Sequence, residues 1–227
     1  MKRYALISVS DKTGIDHLAL ELTRMGFTIL STSGTAKFLR EVCPEVVEVS
    51  DLTGFPEILD GRVKTLHPVI QAGILANRDK EEHLAALEDL DIGCIDLVAV
   101  NLYPFEKTRR DPDSGFEKII ENIDIGGPTL IRAAAKNHSG VIILTDPADY
   151  EPVLASLDKT GEIPAGIRRE LAWKAFQLVS AYDACIADYF QGLTEAEKPM
   201  PDPPERYQIN CRLDYRLRYG ENPHQKA

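Results

Sequence analysis

The chain lacks the grouped cysteines and histidines that a zinc site or a disulfide framework requires. No Cys-x-x-Cys pair occurs, and the four cysteines are widely scattered, at Cys43, Cys94, Cys185 and Cys211. The five histidines are equally dispersed along the sequence. Metal sites need ligands at short, regular spacings, and small disulfide scaffolds need dense cysteine. We therefore expect no metal centre and no structural disulfide.

Long apolar runs and basic stripes are missing as well. No stretch approaches the roughly 20 apolar residues that span a bilayer. The start of the chain, MKRYALISVSDKTG, lacks the apolar segment and cleavage site of a secretory signal. The formal net charge is -10, and an acidic chain of this kind does not suit nucleic-acid binding. These absences predict a cytoplasmic protein that binds neither membrane nor nucleic acid.

The chain does contain a regular alternation of short apolar strands and helical patterns. Strands are predicted at residues 4–9, 27–30, 46–49, 97–100 and 141–144. Each of the first two is followed by a polar turn and then by apolar residues at helical spacing. Continuous apolar runs are typical of strands buried in a parallel sheet. The pattern predicts an α/β fold, with a parallel sheet flanked by helices, and 227 residues suffice for its core.

Two helices stand out in the second half of the chain. The first begins at the Gly-Gly-Pro sequence of residues 126–128 and should end near Asn137. The second is a long amphipathic helix over residues 167–190, whose apolar stripe suits core or dimer packing. After Gly192 the chain becomes polar and rich in proline, which predicts an extended linker. We therefore place the globular domain at residues 1–192 and a linker and tail at 193–227.

Polar loops follow the first two predicted strands. Ser8, Ser10 and Lys12 follow the first strand, and the sequence STSGT at residues 31–35 follows the second. In a parallel sheet such loops gather at one edge, where ligands bind. Hydroxyl, N–H and ammonium groups stabilise an anion there, although helix capping alone would explain either loop. The pair of loops favours a phosphorylated small molecule, and neither is a Walker or GxGxxG loop.

A cationic segment, GRVKTLHP at residues 61–68, interrupts this acidic chain. Arg62, Lys64 and His67 fall within seven positions, beside a glycine and a proline. A solvated strand edge would also explain one Arg-x-Lys pair. The clustering favours a role in binding an anionic ligand, or in stabilising a charge that develops during a reaction.

Further groups able to transfer protons occur in two other segments. Asn101 and Tyr103 directly follow the strand at residues 97–100, while Asp124 precedes the helix that Lys136 ends. Packing of the tyrosine ring, capping by the aspartate and a lysine contact with terminal carbonyls are the structural alternatives. An aspartate and a lysine brought beside a second lysine would instead form a proton-transfer set.

Taken together, these motifs resemble the inosine monophosphate (IMP) cyclohydrolase domain of the bifunctional purine-biosynthesis family. In chain order they are SVSDKTG, STSGTAK, DLTGFPEILDGRVKTLHP, NLYPF and IDIGGPTLIRAAAKNH, between residues 8 and 138. The sequence LRYGENPHQ at residues 217–225 is similar to the start of the transformylase domain that follows in that family. The resemblance implies a cyclohydrolase without formyl-transfer activity, which would work beside a separate AICAR transformylase.

The resemblance also implies a methylglyoxal-synthase-like fold, a homodimer and a reaction that needs no metal or cofactor. That reaction closes 5-formamidoimidazole-4-carboxamide ribonucleotide (FAICAR) to IMP and releases water. One alternative is a non-catalytic domain of the same fold that senses a phosphorylated ligand. Such a domain would need only the two hydroxyl-rich loops, which leaves NLYPF and RAAAKNH unexplained. Methylglyoxal synthase itself, the other alternative, would not need residues directed at a base.

Site residues follow from the same resemblance. Those implied for the ribose phosphate are Ser10, Asp11, Lys12, Thr32, Ser33, Gly34 and Thr35. Those implied for the base are Arg62, Val63, Lys64, Thr65, Val100, Asn101, Asp124 and Ile125. The residues implied for the chemistry are Lys64, Tyr103, Asp124 and Lys136. We expect Asp124 to accept the carboxamide proton, Lys64 and Tyr103 to stabilise oxygen charge, and Lys136 to deliver a proton to the departing water.

Overall fold

The structure, a computed structural model, describes residues 3–197. The chain divides into two units, Met1–Tyr182 and Asp183–Ala227, and the sheet belongs to the first. The proline-rich stretch from Pro199 and the transformylase-like sequence at residues 217–225 lie outside the described residues. The boundary at residue 192 therefore stays a prediction.

Five parallel strands form one sheet in the order β3-β2-β1-β4-β5. In chain order they are β1 Arg3–Ser8, β2 Phe27–Ser31, β3 Val47–Glu48, β4 Ile95–Val100 and β5 Ile142–Leu144. Each predicted strand is present, and all the pairings are parallel. The expected α/β fold with a parallel sheet is thus confirmed.

Ten helices accompany the sheet in the described part of the chain. They are α1 Ile15–Arg24, α2 Ser33–Leu39, α3 Val49–Thr53, α4 Pro68–Leu75, α5 Glu81–Asp89, α6 Phe105–Arg110, α7 Phe116–Glu121, α8 Gly126–Lys136, α9 Tyr150–Thr160 and α10 Ala165–Glu197. Helix α8 has the predicted bounds, with Pro128 in its first turn. Helix α10 is longer than predicted, because residues 193–197, expected in an extended linker, continue it. None of the described helices has the length and apolar character that a membrane span needs.

The core is built from the centre of the sheet. Leu6 of β1, Leu30 of β2 and Val98 of β4 lie side by side in register, and none of them is exposed. Helix α1 packs on β1 and β2, while α8 packs on β4 and β5. Full burial of such side chains is worth about 1.5–3 kcal/mol each. The central strands are therefore a rigid base for the loops that follow them.

Strands β1, β2 and β4 end at the same level. Ser8 pairs in register with Val100, and Ile7 pairs with Ser31. The loops that begin at Val9, Thr32 and Asn101 consequently leave the sheet together, at its carboxyl edge. This is the edge at which parallel α/β sheets bind ligands.

Candidate active site

A cavity of about 570 Å³ opens at the carboxyl ends of β1, β2 and β4. Its volume is in the range typical of small-molecule sites. The predicted site residues that line it are Ser10, Lys12, Thr32, Gly34, Thr35, Arg62, Lys64, Thr65, Asn101, Tyr103, Asp124 and Ile125. Segments that are distant in the sequence therefore meet at this cavity.

Four other predicted residues flank this cavity without lining it among the described residues. Asp11 accepts hydrogen bonds from the hydroxyl and the backbone N–H of Thr13, at 2.7 and 3.0 Å. Val100 is buried in β4, and Val63 forms an isolated bridge with Ile58. Ser33 donates its hydroxyl hydrogen to Glu57 and lines a smaller adjoining cavity.

Lys136 is placed differently from the other predicted residues. It is exposed and ends α8, whereas the first residues of that helix line the cavity. At 1.5 Å per residue, the ten steps from Gly126 to Lys136 place their backbones about 15 Å apart. The described structure does not bring Lys136 to the cavity, and its expected role in proton delivery stays a prediction.

The first loop is fixed by Asn101. Its side-chain oxygen accepts from the N–H of Ser10 at 2.7 Å and of Asp11 at 3.1 Å, and its amide nitrogen donates to the Asp11 carbonyl at 2.7 Å. Thr35 donates its hydroxyl hydrogen to the Val9 carbonyl at 3.0 Å. Both side chains therefore shape the loop after β1 as well as lining the cavity.

The two cations of the 61–68 segment each meet a carboxylate. Arg62 binds Glu121 through two guanidinium nitrogens, with N–O distances of 2.5 and 3.3 Å. This contact holds the pKa of Glu121 below its usual value. Lys64 Nζ lies 2.8 Å from Glu57 Oε1. His67 has a structural role, because its Nδ1 accepts from the Val69 N–H and caps the start of α4.

Asp124 lies just before α8, with its carboxylate directed at the helix. Its Oδ1 accepts the Gly127 N–H at 2.8 Å. Burial raises the pKa of Asp124 above its ordinary value. The backbone N–H groups of Gly127 and Tyr103 and the charge of Lys64 act in the opposite direction, but their effect is smaller. A half-buried carboxyl with a raised pKa suits proton transfer. Tyr103 is 41% exposed and lines the cavity.

Several residues of this region were missed at the sequence level. Glu57, Glu121 and Tyr182 contact Lys64, Arg62 and the backbone of Asp124, respectively. The Asp-Gly dipeptide at residues 60–61 was a usable signal, because it marks a tight turn that brings its flanks together. No comparable local signal pointed to Glu121 or Tyr182.

The side chains of the cavity have no arrangement typical of a metal site. Within residues 3–197, no group of three or more His, Cys, Asp or Glu side chains is placed to hold a metal ion. The polar groups that line the cavity are hydroxyls, amides, ammonium and guanidinium groups, and carboxylates. This set can bind an anion and move protons.

Comparisons with known proteins identify relatives over the whole chain. The model of the MGS-like domain matches residues 14–129, and the model of the AICARFT/IMPCHase bienzyme matches residues 134–227. The bifunctional purine biosynthesis proteins PurH of Bacillus cereus (strain AH187) and of Streptococcus suis are each 50% identical to this chain over 227 residues. Those residues are 100% of this chain and 43% of either relative. The chain thus spans less than half the length of these curated relatives.

A solved structure is also similar. The crystal structure of ForH superposes with a TM-score of 0.73 at 41% sequence identity. The match covers 83% of this chain and 97% of that chain.

Proposed function

The chain belongs to the MGS-like domain family, and we propose that it is an IMP cyclohydrolase that closes FAICAR to IMP with release of water. One observation carries the proposal. Lys64, Tyr103 and Asp124 line the same cavity as the two hydroxyl-rich loops after β1 and β2. The match of residues 134–227 to the AICARFT/IMPCHase model supports it further.

In this proposal, one set of cavity residues binds the ribose phosphate and another set contacts the base, so the substrate binds in one orientation. Lys12, Thr32 and Gly34 offer an ammonium, a hydroxyl and an open backbone for the ribose phosphate. Lys64, Tyr103 and Asp124 then face the imidazole ring and its two reacting substituents. A sensor of a phosphorylated ligand would have no need of this second set.

Ring closure requires a C–N bond to form and a C–O bond to break. The carboxamide nitrogen attacks the formyl carbon, and the formyl oxygen leaves as water with one proton from each of the two nitrogens. Asp124 accepts the carboxamide proton, because its raised pKa makes the carboxylate a better base than an exposed aspartate. Lys64 and Tyr103 stabilise the negative charge on the oxygen of the tetrahedral intermediate.

Much of the acceleration in this scheme comes from conformation. The reacting groups already belong to one molecule, so the cavity has only to hold the formamido and carboxamide groups in a reactive rotamer. A rigid sheet edge with fixed loops suits that task. Asn101 contributes here by fixing the loop after β1.

We also propose that the enzyme is a cytoplasmic homodimer. Trp173 and Phe176 of α10 are 57% and 40% exposed, which supports self-association. Sedimentation of the purified chain at several concentrations tests this part of the proposal.

The activity is tested by incubating the protein with FAICAR and following IMP formation spectroscopically, with EDTA present. We expect turnover at a rate far above the uncatalysed closure. Binding of FAICAR without turnover would instead indicate a sensor. Release of methylglyoxal from dihydroxyacetone phosphate would indicate methylglyoxal synthase.

A further inference from the structure

The turn before Lys64 has an unusual backbone. Ile58 and Val63 form an antiparallel bridge, and the three residues Leu59, Asp60 and Gly61 all have positive φ, at 55°, 53° and 89°. Leucine and aspartate in this region cost free energy that the surrounding structure must offset. Such strain persists only where the surrounding structure imposes it, and it is found mostly at functional sites.

The arrangement produced by this turn is the pairing of Glu57 with Lys64. These residues flank the Ile58–Val63 bridge, and Glu57 Oε1 lies 2.8 Å from Lys64 Nζ. A Cβ atom at Gly61 would lie 2.6 Å from Glu57 Oε1 and closer still to Lys64 Cε. A side chain at residue 61 would therefore displace the ends of both side chains.

Glu57 also reaches the loop after β2. Its other carboxylate oxygen, Oε2, accepts the hydroxyl hydrogen of Ser33. One carboxylate thus joins Lys64, on the side of the cavity assigned to the base, to the loop assigned to the phosphate. The Glu57 side chain is 32% exposed and that of Lys64 is 27% exposed.

The position of Glu57 relative to the cavity indicates the role of this residue. Lys64 lines both the main cavity and the small cavity of about 10 Å³ beside it, whereas Glu57 lines only the small one among the described residues. The carboxylate therefore contacts Lys64 from outside the main cavity and does not occupy the space of a ligand. This placement fits a support for Lys64 and not a competitor of the substrate.

We propose that Glu57 is the positioning residue of Lys64: it fixes the ammonium at the cavity wall and ties it to the loop after β2 through Ser33. The inference rests on the proposed function. A displacement of about 1 Å at a reacting group can cost about 100-fold in rate. Loss of Glu57 should therefore lower the rate of the chemical step more than the affinity for substrate.

Steady-state kinetics of Glu57→Gln, Glu57→Asp and wild type test this. We expect Glu57→Gln to lower kcat by about 10- to 100-fold with KM changed less than about threefold. Glu57→Asp keeps the charge on a shorter side chain and should fall between the two. Glu21→Gln is the control, because Glu21 forms a 2.9 Å pair with Arg24 on α1, with its side chain 25% exposed. A normal kcat for Glu57→Gln would overturn the proposal.

A double-mutant cycle separates positioning from a general loss of structure. If Glu57 acts through Lys64, Glu57→Gln should have no further effect on kcat in a Lys64→Met background. An equal loss in both backgrounds would show that Glu57 acts independently of Lys64 and would refute the proposal. Thermal unfolding of each variant checks that all are folded.

A readout without turnover separates this inference from the proposed function. Reductive methylation with formaldehyde, followed by mass spectrometry, reports how freely each lysine reacts. We expect Glu57→Gln to increase methylation of Lys64 several-fold while that of Lys37 is unchanged. This result would stand even if wild type did not cyclise FAICAR, and an unchanged Lys64 rate would count against the pair.

Discussion

The hydroxyl of Tyr182, on α10, fixes the backbone on both sides of Ile123. Its oxygen accepts the Asp124 N–H at 2.8 Å and donates to the Asn122 carbonyl at 3.0 Å. The Asp124 carboxylate is held at the same time by the Gly127 N–H. Asp124 is consequently fixed through its main chain and its side chain, by two different helices.

Replacing Tyr182 by phenylalanine should loosen this segment without emptying the space of the ring. We expect kcat to fall by about 10-fold, since a lost hydrogen bond leaves the Asp124 N–H and the Asn122 carbonyl without this partner. Water that enters should also lower the pKa of Asp124, which would move the acid limb of the rate profile to lower pH. Tyr4→Phe is the control, because the ring of Tyr4 lies beside Gly93, at the other end of the sheet. An acid limb that did not move would contradict this account.

Asp124→Asn should remove the acid limb of activity altogether. The proposed reaction needs the ionised carboxylate, and burial raises its pKa, so wild-type kcat/KM should fall as pH drops through a value above the ordinary 3.8. The asparagine variant should lose at least about 100-fold of kcat at neutral pH. Profiles of kcat/KM against pH for both proteins provide the measurement. A variant with the same acid limb as wild type would exclude Asp124 as the base.

The same substitution should stabilise the fold. A carboxyl with a raised pKa in the folded state binds its proton more tightly when the protein is folded. Its contribution to stability is therefore fully present below the pKa of the unfolded state, and it is lost as the pH rises through the pKa of the folded state. Asp124→Asn removes this loss and should raise Tm by about 1–3 °C at pH 7. The gain should vanish below about pH 3.8. A lower Tm at pH 7 would show that the hydrogen bond to Gly127 outweighs burial.

Two glycines with positive φ allow a matched test of the strained turn. Gly61 has φ 89° and would place a Cβ atom against Lys64, whereas Gly54 has φ 64° with open space around it. Gly54→Ala should cost about 1 kcal/mol of stability, from the backbone alone. Gly61→Ala should cost more and should also lower kcat by at least about 10-fold, because Lys64 is displaced. Equal effects of the two variants on kcat would contradict this role of the turn.

Lys64→Met tests the assignment of oxygen stabilisation to this residue. Removing one such group typically costs about 100- to 1,000-fold in kcat. We expect a loss of this size with the fold retained, and FAICAR should still protect the variant from thermal unfolding. Lys37→Met is the control, because Lys37 is exposed near the end of α2. Near-normal turnover of Lys64→Met would exclude the proposed scheme.

Much of this molecule could be predicted from the sequence because its signals are local. The apolar runs of β1, β2 and β4 and the Gly-Gly-Pro start of α8 depend on neighbouring residues, and the structure confirms them. The shared position of the loops follows from the strands, since parallel strands direct their carboxyl ends to one edge of the sheet.

The partners of the site could not be predicted because they depend on distant contacts. Glu121 meets Arg62 across 59 positions, and Tyr182 meets Asp124 across 58. Lys136 shows the converse. It shares a motif with Asp124, yet the intervening helix α8 carries it to the far end. Closeness in sequence corresponds to closeness in space only within a turn or two of a helix.

The charges that line the cavity have a consequence for how a substrate arrives. Among the described residues, three cations, Lys12, Arg62 and Lys64, line the cavity together with three carboxylates, Asp60, Glu121 and Asp124. The cavity is thus formally neutral within a chain of net charge -10. Under the proposed function, an incoming nucleotide would meet a break in the repulsive field of the protein. It can also draw Arg62 away from Glu121 at small cost, since exposed ion pairs contribute only about 0–1 kcal/mol. Under the proposed function, substrate entry would therefore exchange one anion for another at Arg62.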